Sequence, residues 1–476
     1  MNKLFFFLML FLFGCITIFA ADKPVSTLQV YTAPAGVPLI TDFNVKVRLS
    51  GKAWQNLPVY LVKVDEVKSA GHHTENASMA YFDFEGDVEV SVTWLKGVVK
   101  TARVRPLSYN IPHRMEGKTI YFKLTKPANL SVEVNNDLFH NLHLFANPVY
   151  TMASNKNDTN LIYFGPGVHE IPDQVLHVPS GKTVFVAGGA VLKGQLLVQH
   201  ARDVRIIGSG MVDQSVKMGI RIANSKNVQV EGLFATQCLT GGSDSVTIRN
   251  VKVISYYGWG DGMNVISSRN VNIDRVFNRN SDDCTTVYGT RGGFSGGCKN
   301  ISMANSTLWA DVGHPILIGT HGSTPHPDTL ENISYQNIDI LDHKEQQLDY
   351  QGCMSINAGD NNLVRRVRFD NVRVENFRQG QLLNIRVFYN RKYCTSPGRA
   401  IEDVLFRNVS YQGTNAEISI IAGYNDERKV KNIRFENLMI NGVVITDNMK
   451  NKPKWFKTGD MAGIFLGEHV EGVVFE

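Results

Sequence analysis

Three aspartates and one histidine near the middle of the chain have the residue types and spacing of an acid–base centre. Asp261 stands in "YYGWGDGMNV", Asp282 and Asp283 in "NRNSDDCTTV", and His314 in "DVGHPILIG". Carboxylates crowded into one place repel, so one pKa is pushed up while others stay ionised. One group then holds a proton to give and another is free to take one, the division of labour of general acid and general base. Singly, each residue has a plainer reading. Asp before Gly is usually a turn residue, Asp-Asp pairs mostly cap turns or face solvent, and a lone His is more often structural. The four amount to a site only if the fold gathers them.

A phrase recurring through the second half of the chain does the gathering. "DVRIIGS" begins at 203, "NVQVEGL" at 227, "SVTIRNV" at 245, "NVNIDRV" at 270 and "NISMANS" at 300. "NISYQNI" follows at 332, "RVRFDNV" at 366, "DVLFRNV" at 403 and "NIRFENL" at 432, so the starts are 18 to 37 residues apart. Each phrase alternates apolar and polar residues, the pattern of a strand with one buried face. Each usually opens with Asn or Asp and carries a second Asn or Gly, residues that suit turns. No 3.6-period stretch of useful length appears, which excludes helical solenoids, and most spacings are too short for a four-stranded propeller blade. The pattern predicts a right-handed parallel β-helix with an inner stack of Val, Ile and Leu, its first rung at "KTVFVAGGAVLKG" from 182. Asp261 and Asp282 are 21 residues apart, about one coil, and equivalent positions on neighbouring coils lie about 5 Å from each other. His314 falls on the next coil. Variable spacing places loops of different length on one side, where a cleft would form.

Residues 22–150 lack the phrase. "FNVKVRLS", "LPVYLVKV", "VEVSVTW", "KTIYFKL" and "LSVEV" alternate between polar turns, which reads as an antiparallel β-sandwich. The boundary is expected near 150, where "HLFANPVY" meets the polar "TMASNKNDTN", leaving 151–476 to the β-helix. The fold class is therefore all-β. Residues 1–21 are set apart by Lys3, an apolar run from Leu4 to Ala20 and the small pair Ala20-Ala21, the pattern of a secretory signal peptide. "LFGC", ending at Cys15, is a weaker lipoprotein-type alternative. A secreted or periplasmic protein is expected, with a lipid-anchored outer-surface form as the variant. No later stretch reaches the about 20 apolar residues of a spanning helix. Cys238, Cys284, Cys298, Cys353 and Cys394 are scattered without a CxxC spacing and read as buried thiols, not as a zinc site. A composition of 43% hydrophobic and 20% charged residues with net charge +5 is that of an ordinary globular protein, and implies neither nucleic acid nor a membrane surface.

The stretch "GDGMNVISSRNVNIDRVFNRNSDDCTTVYG…VGHPILIG" resembles the polygalacturonase family of glycoside hydrolases and its relatives, among them the dextranase and isopullulanase family. The similarity covers about 160 to 445, and the preceding sandwich is more like the dextranase side. The resemblance implies that Asp282 protonates the departing glycosidic oxygen, that Asp261 and Asp283 activate water on the opposite face, and that His314 tunes or positions the acid. Inversion at the anomeric carbon follows, with carboxyl groups about 6.5–9.5 Å apart. There are departures. Polygalacturonases usually show Asn-Thr-Asp where this chain has Trp259-Gly260-Asp261, and Gly-His-Gly where it has Gly313-His314-Pro315. Their Arg-Ile-Lys, which grips a uronate, aligns with Ser355-Ile356-Asn357, so both cations are missing.

Arg386, Arg391 or Lys392, in "NIRVFYNRKYC", would have to replace those cations, or are solvated loop charges. Trp259 is a candidate stacking platform for a sugar ring, with packing against the coil as its alternative. Tyr257 also flanks the acidic patch, while Tyr288 and Trp309 read as packing residues. The candidate substrate contacts are thus Trp259, Asn280, Arg386 and Lys392, and His321 and His326 lie on an inserted loop. The expected activity is an inverting hydrolysis of a pectin- or glucan-type polysaccharide by a monomer without metal or cofactor. The alternatives are a Ca²⁺-dependent polysaccharide lyase with an Arg or Lys base, and a non-catalytic carbohydrate-binding solenoid.

Overall fold

A computed structural model describes residues 26–68, 71–152 and 158–476. The signal-peptide reading of residues 1–21 lies outside the described residues. From Leu161 to Phe475 the chain winds as a parallel β-helix, whose strands join into one continuous sheet. It starts one coil earlier than expected. Leu161–Phe164 and Gly167–His177 pair in parallel with Thr183–Val186 and Ala190–Gln199. That end coil is half-exposed and carries no Asn-led phrase, so the repeat pattern does not reveal it.

Each recurring phrase is a strand of one stacked column. Val204 pairs in register with Val228, then Val246, Val271, Ile301, Ile333, Val367, Val404, Ile433 and Val473 on successive coils. The opening Asn of the phrase has a physical cause. Asn227, Asn270, Asn300, Asn332 and Asn432 all have φ between 54° and 58°, a left-handed turn that Asn tolerates better than most residues. Their amides then chain along the helix, Asn332 Nδ2 donating to Asn300 Oδ1 and Asn300 Nδ2 to Asn270 Oδ1, both at 2.9 Å. Towards the C-terminus the inner column turns aromatic: Tyr335, Phe369, Phe406, Phe435 and Phe475 stack nearly parallel with centroids 4.7–5.6 Å apart.

Ahead of the β-helix, two sheets form a sandwich. Gln55–Leu57, Phe43–Leu49, Val88–Trp94, Thr119–Leu124 and His113–Glu116 make the outer sheet. The inner sheet holds Thr27–Gln29, Gly71–Glu85, Leu142–Asn147, Ala128–Val134 and Ala102–Arg105, with Tyr60–Lys68 paired to Gly71–Glu85. Leu142–Asn147 runs parallel to Gly71–Glu85, so the sandwich is mixed and not purely antiparallel. The segment read as a boundary marker is itself this strand. Its inner sheet is buried on both faces, with Phe82 and Leu144 turned to the sandwich core and Tyr81 and Phe145 turned to the coil. A both-sided core removes the alternation that made the outer strands easy to read. The five cysteines beyond residue 25 are buried and unpaired. No helix among the described residues is long and apolar enough to cross a membrane.

The aromatic column offers a direct test of the fold. Phe406, almost fully buried between Phe369 at 4.8 Å and Phe435 at 4.9 Å, loses both partners in Phe406→Ala. A loss of about 3–5 kcal/mol in denaturant unfolding is expected. A loss below about 1 kcal/mol would show that the column is not tightly packed.

Candidate active site

The strands Met263–Ile266, Thr285–Tyr288 and Ile316–Gly319 stack on successive coils, and the acidic residues precede them. Register pairs Met263 with Thr285 and Thr286 with Leu317. Asp261, Asp283 and His314 therefore occupy the same place on three adjoining coils. Backbone bonds fix this: Gly262 N–H donates to Asp283 O and Cys284 N–H donates to His314 O, each at 2.8 Å. Asp283, not Asp282, stands directly across from Asp261. Ser255 and Ser281 fasten the loop that carries Asp261, Ser281 Oγ donating to Tyr257 O at 2.5 Å and Ser255 Oγ to Gly260 O.

Around the carboxyl groups the bonding is unequal. Asp283 is buried and accepts from the His314 backbone N–H at 2.9 Å and from Tyr288 OH at 3.2 Å, with His314 Nδ1 2.7 Å from its Oδ1. Burial opposes its charge, yet attraction to His314 and these hydrogen bonds prevail and hold its pKa below the usual carboxylate range. Asp282 is half-buried, and its Oδ1 accepts only the Asp283 backbone N–H, at 2.9 Å. Burial, then repulsion from Asp283 and Asp261, push Asp282 well above its ordinary value. Burial and Asp283 also raise Asp261, to about 7, although Asn264 Nδ2 donates to it at 2.7 Å. Gly313, with φ +74°, has no room for a side chain: a Cβ there would lie 2.8 Å from Asp283 Oδ1 and 3.1 Å from Asp282 Oδ1. The arrangement thus displaces the pKa values of two neighbouring carboxyls in opposite directions where they line a pocket of about 300 Å³.

His314 is fully buried and its ring is bonded to Asp283, so it acts on Asp283 and not on Asp282, the residue expected to be the acid. Trp259 stands at the pocket, 87% exposed, with a left-handed φ of 60° that is rare for a bulky residue. Lys392 also lines the pocket, its Nζ donating to Gln347 Oε1 at 3.2 Å. Two expected contacts are corrected. Asn280 is wholly buried and donates to Ser255 Oγ at 3.0 Å, an internal brace of the loop. Arg386 does not line the pocket: its guanidinium is bonded to Asn384 Oδ1 at 2.9 Å and to the Asp349 carbonyl. Trp309 is buried under Arg279 and Arg105, a packing residue as read, whereas Tyr288 both packs and bonds Asp283.

Other pocket residues carried no periodic signal. Arg291, exposed on the 290–297 loop, lies 5.3 Å from the Tyr288 ring, and Glu345, Tyr350 and Tyr393 come from two later loops. His321 lines the pocket, kept neutral near pKa 3 by burial and by Arg291, while His326 does not line it. His72 reaches in from the sandwich, at the start of Gly71–Glu85, and bonds Asp65 at 2.5 Å. Such placements depend on tertiary folding. Only Arg291, three residues beyond Tyr288, offered a local hint.

The sequence profile of glycosyl hydrolases family 28 matches residues 186–458. No curated protein matches the chain. Among solved structures it is similar to Dex49A from Penicillium minioluteum, with a TM-score of 0.64 at 14% identity over 94% of this chain and 96% of that one. It is also similar to an endo-xylogalacturonan hydrolase from Aspergillus tubingensis, with a TM-score of 0.44 at 15% identity over 66% and 87% of the two chains. A family 28 exopolygalacturonase from Yersinia enterocolitica gives 0.41 at 10% identity over 82% and 96%.

The crowding of the carboxyls can be measured without a substrate. Asp261 has a folded pKa of about 7, above its unfolded value near about 3.9. The folded chain binds the extra proton between these values, so this term lowers stability as pH rises through the window. Asp261→Asn removes it, and the variant is expected to be more stable than wild type in urea at pH 7.5 but not at pH 4. An equal gain at both pH values would show that electrostatics is not the cause.

Proposed function

The chain belongs to glycosyl hydrolases family 28, and from that premise we propose that it cleaves a polysaccharide by an inverting mechanism in which Asp282 is the acid and Asp283 and Asp261 are the base. The observation that carries this reading is the gathering of three carboxyl groups from two coils into one pocket, where His314 bonds Asp283 and Asp282 is left with a single backbone donor. Asp282, its proton affinity raised by burial and by the neighbouring carboxylates, gives a proton to the glycosidic oxygen as the bond to the anomeric carbon breaks. Asp283, held ionised by His314, and Asp261 orient a water molecule and take its proton as its oxygen bonds to that carbon. His314 is a positioning residue for Asp283. The Arg and Lys side chains of the pocket, Arg291 and Lys392, favour an acidic sugar over a neutral one.

Those same cations are what a lyase would need for a base. The products separate the two chemistries. Hydrolysis of pectic polysaccharides or α-glucans yields no new ultraviolet absorption, whereas elimination creates an absorbing double bond. Nuclear magnetic resonance of the first product formed shows its anomeric configuration, and retention in place of inversion would overturn the mechanism.

Asp282→Asn is expected to lower kcat by about 10²–10⁴-fold on a natural linkage, and much less on an aryl glycoside whose leaving group needs no proton. Equal losses on both would remove Asp282 from the acid role. His314→Gln takes away the partner that depresses Asp283, so the Asp283 pKa rises. The acidic limb of the kcat/KM profile should move to higher pH while the basic limb, set by Asp282, stays in place. An unmoved acidic limb would assign His314 a purely structural part.

A further inference from the structure

We propose that this glycosidase attacks its polysaccharide from a chain end, because the cleft is closed over along the coil axis on both sides of the carboxylates. The inference rests on the hydrolase reading above. A chain cleaved internally must lie along a groove floor that stays open over several coils, each about 5 Å deep. Here, among the described residues, the rungs on either side of the carboxyl groups are largely covered.

On the C-terminal side, the outward-facing residues of the next two rungs are Ser355 and Asn357 in Met354–Ala358 and Asn384 and Arg386 in Leu383–Val387. The first three are 0% exposed and Arg386 is half-buried. Two loops lie over them and are latched together. The Tyr350 ring stacks on Tyr393 with centroids 4.4 Å apart and planes 19° from parallel. Tyr393 OH donates to Gln347 Oε1 at 3.1 Å, alongside the Lys392 bond to the same oxygen. Arg386 closes the latch from below through the Asp349 carbonyl.

On the N-terminal side, Phe294 covers the equivalent floor. Its ring is buried against Leu239 and Ile266, and it sits so close to Gly241 that a Cβ there would come within 2.2 Å of the ring. The sandwich supplies a further wall, where Lys344 Nζ donates to Val67 O at 2.5 Å and His72 lines the pocket. What remains is a pocket of about 300 Å³ around the carboxyl groups. Trp259 stands at that pocket with its ring in solvent, placed to stack on the sugar that follows the terminal one. The terminal sugar enters, the next linkage meets Asp282, and the rest of the polymer trails outwards.

The test takes the full chain and a pectic and α-glucan panel, and follows product size by chromatography together with viscosity on the polysaccharide that is cleaved. Mono- or disaccharide is expected as the only short product from the first minutes, with viscosity falling only in proportion to the sugar released. An early ladder of oligosaccharides with a steep fall in viscosity would overturn chain-end attack and leave the hydrolase reading standing. Failure to cleave any polysaccharide of the panel would count against both. Gln347→Ala combined with Tyr393→Ser unlatches the C-terminal wall, and should raise the share of longer products several-fold; an unchanged share would show that this wall does not set the mode.

Discussion

Parallel register between coils is the constraint on which the site depends. Strands of neighbouring coils are held about 5 Å apart by backbone hydrogen bonds. Whatever precedes the same rung position on two coils is therefore forced into contact. Asp261, Asp283 and His314 are such residues, and the chain cannot relieve their repulsion by sliding, because a shift of one residue would turn the Val and Ile columns outwards. The large apolar core thus supports a small cluster of charge that would not persist by itself. Asp282 sits beside that column and meets two carboxylates at once. Its pKa is consequently raised most clearly, while His314 spares Asp283.

The sandwich belongs to this mechanical frame. Arg279, in Phe277–Asn280 just ahead of the Asp pair, is 0% exposed and meets the equally buried Asp311 through two bonds of 2.8 and 3.1 Å. Asp311 lies three residues before His314. From the sandwich, Asn141 accepts from Arg279 at 2.9 Å, and the His143 ring stands 3.4 Å from the same nitrogen. Arg378 joins the group by bonding Asp342 at 2.6 Å. A buried guanidinium is tolerable only when its donors are occupied, and no single rung can occupy them all. The sandwich completes that shell and so braces the two segments that carry the Asp pair and His314. It also explains why the inner sheet has polar residues such as His143 and Asn147 facing the coil, where an independent sandwich would keep them wet.

How far this was legible in the sequence depends on whether a residue's role follows from periodicity. The β-helix was plain, because its strands alternate and its left-handed turns select Asn. The meeting of the acidic residues followed from coil length, although the 21-residue count paired Asp261 with Asp282 when the register pairs it with Asp283. Asn280 was misread because proximity to the Asp pair is no guide to direction, and its side chain points into the turn and not into the cleft. Arg386 was misread for a related reason: it faces the cleft side of its rung, but a loop from the preceding coil lies above it. Arg291, His72 and Tyr393 come from loops or from the other domain. Their positions depend on packing among segments far apart in the chain, which leaves no local pattern.

The loops that hide the floor also set the chemistry. Burial is the foremost influence on Asp261, Asp282 and Asp283 alike, and repulsion or hydrogen bonding then sorts them. That burial comes from the outer apolar cluster of Ile266, Tyr288, Phe294, Leu317, Tyr350 and Phe388, which the loops press against the rungs. In an open groove, water would screen the carboxylates from one another, and their affinities for protons would draw together. Enclosure strengthens the mutual repulsion that raises the proton affinity of Asp282 and the attraction that lowers that of Asp283. A wall that limits which part of a polymer can enter is therefore the same wall that separates acid from base. Restriction to a narrow entrance and the sharpening of the carboxyl pair have one structural cause.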